Sequence, residues 1–200
     1  MIEKPFSAPA ERNQVPILEQ LRKHLSTESH QKLLEVGSGT GQHASYFAPE
    51  FPYLIWTTSD LKENHSGIEK WIQDSGCTNI LGPLEIDLSS AVTSREQYDA
   101  LYSANVIHII SWDKCLRLFD LAANCLRSGG DLFFYGPFKY ENKFTSESNE
   151  QFESWLKERN SESGIRDFEV VKKELLTRGF ELESDNSMPA NNQFLHFQKI

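Results

Sequence analysis

The sequence is poor in the features that mark several protein classes, and each shortage narrows what the chain does. Its three cysteines, Cys77, Cys115 and Cys125, are odd in number and form no CxxC pair, so neither a disulfide framework nor a thiolate zinc site is expected. Six histidines are scattered, none at ligand spacing from a carboxylate or cysteine, and no metal is expected. No stretch approaches the roughly 20 apolar residues of a membrane helix, and Met1-Ile2-Glu3-Lys4-Pro5 opens no apolar signal run. The expectation is a cytoplasmic protein without a membrane partner. Positive charge is scarce as well: 20 Lys and Arg against 29 Asp and Glu give a formal net charge of −9. Counterion release needs clustered cations, and the densest basic spot is only Lys172-Lys173, so nucleic acid is not an expected partner.

What is present reads as one α/β domain. The 200 residues suffice for a self-supporting core, with 38% hydrophobic and 24% charged residues. Ile17, Leu18, Leu21 and Leu25 fall at helical spacing ahead of a first strand, Leu33 to Val36. A helix through Ala44, Tyr46 and Phe47 stops at Pro49, and Tyr53 to Thr58 reads as the second strand, ending at Ser59-Asp60. Ile68, Trp71 and Ile72 mark the next helix, closed by Gly76. The third strand runs from Asn79 to Ile86, interrupted by Gly82-Pro83, and the fourth from Tyr98 to Ile107; the stretch from 89 to 97 is too short to assign. Ser111 caps a helix ended by Gly129-Gly130, followed by a fifth strand, Asp131 to Tyr135. Ser148 with Gln151 resembles a capping box for a helix carrying Phe152, Trp155 and Leu156, and Asp167 caps a further helix closed by Gly179. Strands Phe180 to Ser184 and Gln193 to Gln198 have no helix between them and must pair antiparallel. The alternation predicts a mostly parallel sheet covered by helices on both faces. Residues 1–30 are expected to form an N-terminal helical cap and 140–165 a lid insert.

The chemistry concentrates in Glu35-Val36-Gly37-Ser38-Gly39-Thr40-Gly41, between a buried strand and a helix. Glycines there permit a sharp turn and bring backbone N–H groups to a ligand, which makes Gly37, Ser38, Gly39 and Gly41 binding candidates. A carboxylate, Glu35, ends the strand. It would repel a pyrophosphate but attract the positively charged methionine end of S-adenosylmethionine (SAM). The GxGxG spacing also departs from the GxGxxG dinucleotide fingerprint. Asp60, with Leu61 after it, stands about 20 residues further on, where an acid can hold both ribose hydroxyls of either cofactor. Asp87-Leu88 follows the third strand, where Asp87 serves either as an adenine acceptor or as a surface cap. Asn105 ends the fourth strand, beneath the methionine part of such a ligand.

Leu33 to Ala48, Asp60, Asp87 and Ser103-Ala104-Asn105-Val106-Ile107-His108 resemble class I SAM-dependent methyltransferases. Ala10-Glu11-Arg12-Asn13 with Pro16-Ile17, Ser38-Gly39-Thr40-Gly41-Gln42-His43 and Met188-Pro189-Ala190-Asn191-Asn192 resemble, more narrowly, the short methyltransferase-like family that includes methyltransferase-like protein 26. The resemblance implies a Rossmann-like, seven-stranded sheet with an antiparallel final strand. It supplies no acceptor.

Methyl transfer from a sulfonium needs mainly alignment, and a base only if the acceptor must lose a proton. His108 is the best-placed base, the alternative being a histidine packed at the top of the sheet. His43 reads as structural. Arg12 is placed either to pair with the methionine carboxylate or to lie solvated on a helix. Phe138, Tyr140, Met188 and Asn192 are the expected acceptor pocket, and Phe152 and Trp155 read first as core. Three functions follow: a SAM-dependent methyltransferase of a small-molecule acceptor, a SAM-binding regulatory or partner subunit without activity, or an NAD-linked oxidoreductase. The last is weakened by Glu35 and by the lack of a Ser/Tyr/Lys relay after the fourth strand. The sequence does not indicate an oligomeric state.

Overall fold

The computed structural model describes residues 4–90 and 96–200, so residues 91–95 of the unassigned stretch lie outside the description. A seven-stranded sheet runs in the order β3-β2-β1-β4-β5-β10-β9. Its strands are β1 (Lys32–Val36), β2 (Ile55–Asp60), β3 (Ile80–Glu85), β4 (Tyr98–Ala104), β5 (Leu126–Gly136), β9 (Phe180–Met188) and β10 (Asn192–Lys199). The first five pair in parallel, whereas β10 is antiparallel to both β5 and β9. A second, three-stranded sheet joins β6 (Phe138–Tyr140), β7 (Lys143–Phe144) and β8 (Arg166–Asp167).

Strand side chains alternate between faces, so neighbouring residues enter different cores. Leu33, Ala100, Tyr102 and Phe133 pack with Ile17, Leu21 and Phe47, under α1 (Ala8–His24) and α2 (Gln42–Phe47). Leu34, Leu101, Leu132 and Phe134 pack on the opposite face with Leu118, Phe119, Val171 and Leu175, from α4 (Trp112–Cys125) and α6 (Phe168–Leu176). This is the expected Rossmann-like architecture. Ser111 and Asp167 cap α4 and α6, accepting from the amides of Lys114 and Val170. Gly76 ends α3 (His65–Ser75) at φ 65°.

Several boundaries differ from the sequence reading. Strand β2 begins at Ile55 rather than Tyr53. Strand β4 ends at Ala104, because Asn105 turns the chain at φ 58°. Gly129-Gly130 does not end α4, which stops at Cys125; it makes an irregularity inside β5, where a Cβ at Gly130 would lie 2.9 Å from the carbonyl of Arg127. The cap of α5 (Glu147–Arg159) is Ser146, not Ser148. Strand β9 reaches Met188, so the expected loop shrinks to a 3-10 turn over Pro189–Asn191. No helix of the described residues is long and apolar enough to cross a membrane.

Candidate active site

A cleft of about 840 Å³ opens at the carboxyl ends of β1 to β4, within the roughly 300–1,000 Å³ usual for small-molecule sites. Its floor is the turn after β1. A Cβ at Gly37, which has φ 77°, would overlap Val106 Cγ2, so only glycine lets the turn pass beneath Val106. Gly39, at φ 59°, has open space where its Cβ would be, and its amide donates to Asp60 Oδ2 at 2.6 Å. Asp60 Oδ1 accepts from the Leu61 amide and from Asn64 Nδ2, both at 2.7 Å. These bonds aim the carboxylate at the glycine turn. Ser38 and Leu61 line the cleft beside it.

Asp87 and Leu88 form the next stretch of wall. Asp87 Oδ1 accepts from the Ser89 amide at 2.8 Å, the capping bond of the plainer reading; that amide, with Lys114 and Arg117 further off, holds its carboxyl below the usual range. Asn105 lines the cleft in the left-handed conformation, its amide donating to the Tyr135 carbonyl at 2.8 Å. Asn tolerates that region better than most residues, and such strain collects at functional sites.

Three cofactor candidates lie off the cleft. Glu35 projects to the α1 side of β1, 2% exposed, and accepts from Trp56 Nε1 at 2.9 Å. Burial pushes its carboxyl up to about 7. Gly41, at φ 90°, precedes α2 and lets it press on α3, where a Cβ would lie 3.0 Å from Ile68 Cα. Arg12 is exposed on α1. Its neighbour Asn13 is the buried member: His43 Nε2 donates to Asn13 Oδ1 at 2.7 Å, and Tyr102 donates to His43 Nδ1 at 3.2 Å. Burial lowers the His43 pKa to about 4, keeping the imidazole neutral in this network.

The N-terminal segment also reaches the cleft, through Pro5, Ser7, Pro9 and Ala10. Trp71 Nε1 donates to the Pro5 carbonyl at 2.7 Å, and a Cβ at Gly67 would meet Pro5 Cγ at 2.6 Å. Sequence reasoning missed these residues, since nothing local to positions 5 or 71 signals the pairing.

At the far end stands His108, 3% exposed, lining the cleft with Nδ1 unpartnered among the described residues. Burial, aided by Arg166, lowers its pKa to about 4. Nδ1 is closed off against Gly136, where a Cβ would come within 3.3 Å. The loop around His108 is clamped by one segment. Arg166 Nε donates to the Ile107 carbonyl at 2.9 Å, the Gly164 amide to that of His108 at 2.8 Å, Ser163 Oγ to that of Ile109 at 2.8 Å, and Arg166 Nη2 to that of Ile110.

The aromatic assignments exchange places. Phe152 and Trp155, expected in the core, line the cleft from α5, with Phe152 edge-on to His108 at 5.4 Å. Phe138 is fully buried in the core, and Tyr140 donates to Asp185 Oδ2 at 2.7 Å. Met188 is buried at the end of β9, while Asn192 Nδ2 ties the 3-10 turn to the carbonyls of Pro189 and Ala190 at 3.1 and 3.3 Å. None of these four lines the cleft. The physical reason for the last pair is the extension of β9, which leaves no loop to reach the mouth. Among the described residues no cluster of His, Cys, Asp or Glu is arranged to hold a metal.

A family model described as "Protein of unknown function (DUF938)" matches residues 4–199. The fold is similar to that of an O-methyltransferase family protein from Burkholderia thailandensis, with a TM-score of 0.83 and 14% identity over 95% of this chain and 57% of that one. It is also similar to an O-methyltransferase family 2 protein from Planctomyces limnophilus, solved with apigenin, with a TM-score of 0.80 and 15% identity over 96% of this chain and 60% of that one. A third match, PigF solved with SAH, has a TM-score of 0.75 and 16% identity over 96% of this chain and 64% of that one. The chain thus spans less than two thirds of the length of these proteins, and at such identities the likeness is one of fold.

Proposed function

We propose that this chain, which belongs to the family described as protein of unknown function (DUF938), is a SAM-dependent methyltransferase acting on a hydroxyl of a small molecule. One observation carries the reading: a single cleft gathers Gly37, Ser38, Gly39, Asp60, Leu61, Asp87, Leu88 and Asn105 beside an uncharged histidine with an unpartnered nitrogen. The residues fit SAM. The empty space over Gly39 admits a ligand against the turn, Asp60 Oδ2 keeps acceptor capacity for ribose hydroxyls, and Asp87 can accept from the adenine amine. Glu35 and Gly41 take positioning parts in the reading, and no role remains for Arg12.

When bound, SAM supplies the methyl group and leaves as S-adenosylhomocysteine. The chain's own work is alignment and proton handling. His108 is held neutral by burial, and its imidazole, which lines the cleft, takes the acceptor's hydroxyl proton as the oxygen forms its new bond to carbon. Hydroxyl acceptors belong to the fold neighbours named as O-methyltransferases, and the same chemistry suits this histidine. Residues 1–200 act in this reading as one cytoplasmic domain, with α1 as cap and α5 as lid. Kinship with the methyltransferase-like family noted above is part of the proposal; metal, nucleic acid and membrane are not. Thermal unfolding with added S-adenosylhomocysteine tests it: saturating ligand raises Tm if the site is as described, and an unmoved Tm contradicts it.

A further inference from the structure

The acceptor end of the cleft has an order that identifies its ligand. Beyond His108 stands Phe152, edge-on at 5.4 Å; beyond Phe152 lies Trp155, stacked at 5.6 Å and 19°; and the Arg159 guanidinium sits 4.6 Å from the Trp155 ring. All four line the cleft, three of them on one face of α5 at positions three and four residues apart. A neutral proton acceptor, two rings and a cation thus succeed one another from the methyl-transfer centre outward. Stacking on Trp155 orients the guanidinium and leaves its in-plane N–H donors free. Among the described residues Arg159 is in no ion pair. The other cation on the cleft, Lys114, already acts on Asp87.

From this we infer that the methyl acceptor is a flat aromatic hydroxy-carboxylate, its hydroxyl at His108 and its carboxylate paired with Arg159. The inference rests on the methyltransferase reading and adds the substrate class. The ring lies along Phe152 and Trp155, where aromatic edges suit another ring's face. The carboxylate meets a planar, bidentate donor, which an ester or a bare ring cannot use. In the reaction the hydroxyl oxygen gains the methyl group, its proton passes to His108, and the donor's C–S bond electrons stay on sulfur. The product is an aryl methyl ether that keeps its carboxylate.

The test uses the full chain loaded with S-adenosylhomocysteine for binding, and SAM for turnover. A hydroxynaphthoate, its methyl ester and the parent naphthol are titrated and assayed in parallel. The hydroxynaphthoate is expected to bind the loaded protein and to be methylated with kcat/KM at least about tenfold above the other two, the worth of one good charged contact. Arg159→Gln should erase that preference, raising KM for the acid more than it changes kcat. Equal use of ester or naphthol, or a preference that survives Arg159→Gln, overturns the inference while leaving the transferase reading intact. Binding of S-adenosylhomocysteine with no binding of the acid overturns it too. Failure to bind S-adenosylhomocysteine removes the reading beneath it.

Discussion

The amide of Gly164 donates a 2.8 Å hydrogen bond to the carbonyl of His108, so a residue far along the chain fixes the backbone of the proposed base. Arg166 completes the clamp on Ile107 and Ile110. Arg166→Ala is expected to cost about 1–3 kcal/mol of stability, because partly buried carbonyls lose charged donors. Turnover should fall by more than about tenfold while S-adenosylhomocysteine affinity holds, since the clamp touches only the acceptor end. Equal losses in cofactor affinity and turnover would show that the segment merely supports the fold.

The turn after β1 makes a sharper prediction. Gly37→Ala brings a Cβ into Val106 Cγ2 at a positive φ, and should weaken S-adenosylhomocysteine binding by about tenfold or more. Adding Val106→Ala removes the overlap but not the backbone strain, so it should recover part of the loss. A double variant no better than Gly37→Ala would mean that the overlap is not what matters.

Glu35 links stability to pH. Burial raises its carboxyl from 4.5 to about 7 in the folded chain, so the folded state binds the proton more tightly than the unfolded one. The native state is therefore favoured at low pH and loses that advantage as pH climbs from 4.5 through about 7. Glu35→Gln keeps an acceptor for Trp56 Nε1 without the charge. Chemical denaturation at alkaline pH should find it more stable than the parent by up to about 3 kcal/mol, with the gap closing in acid. A gap that does not depend on pH would refute the assignment.

Asp131 behaves in the opposite sense. It is buried on the interior strand β5, between β4 and β10, where its two oxygens take His30 Nε2 at 2.7 Å and His196 Nε2 at 2.8 Å. Burial opposes ionisation, but the His196 and His30 contacts outweigh it and bring the carboxyl down to about 2. Its contribution is present above the unfolded value of 3.8 and lost as pH falls through about 2. Asp131→Asn sets an amide N–H against one imidazole donor and should cost about 2–4 kcal/mol by denaturant titration. A loss under about 0.5 kcal/mol, the usual surface value, would contradict this.

The parts of the site that were legible are local in sequence. The glycines, Asp60, Asp87 and Asn105 sit at strand ends, where strand–turn–helix order alone directs them to one edge of the sheet. Position alone puts Glu35 on the cleft, but strand alternation sends it beneath the turn to Trp56, a residue whose partner no local pattern reveals. Phe152 and Trp155 have the spacing of a core stripe, and spacing cannot say whether that stripe meets a core or a cleft. Met188 reads as a loop residue in the sequence because the polar run from Glu181 to Ser187 hides an edge strand with one solvated face.

Calorimetric titration with S-adenosylhomocysteine, run on the parent chain and on Asp60→Ala with NADH as control, tests the central claim most directly. The account predicts micromolar binding to the parent, weakening by about tenfold or more in Asp60→Ala, and no heat with NADH. Binding of NADH in place of S-adenosylhomocysteine, or an Asp60→Ala affinity equal to the parent's, would contradict it.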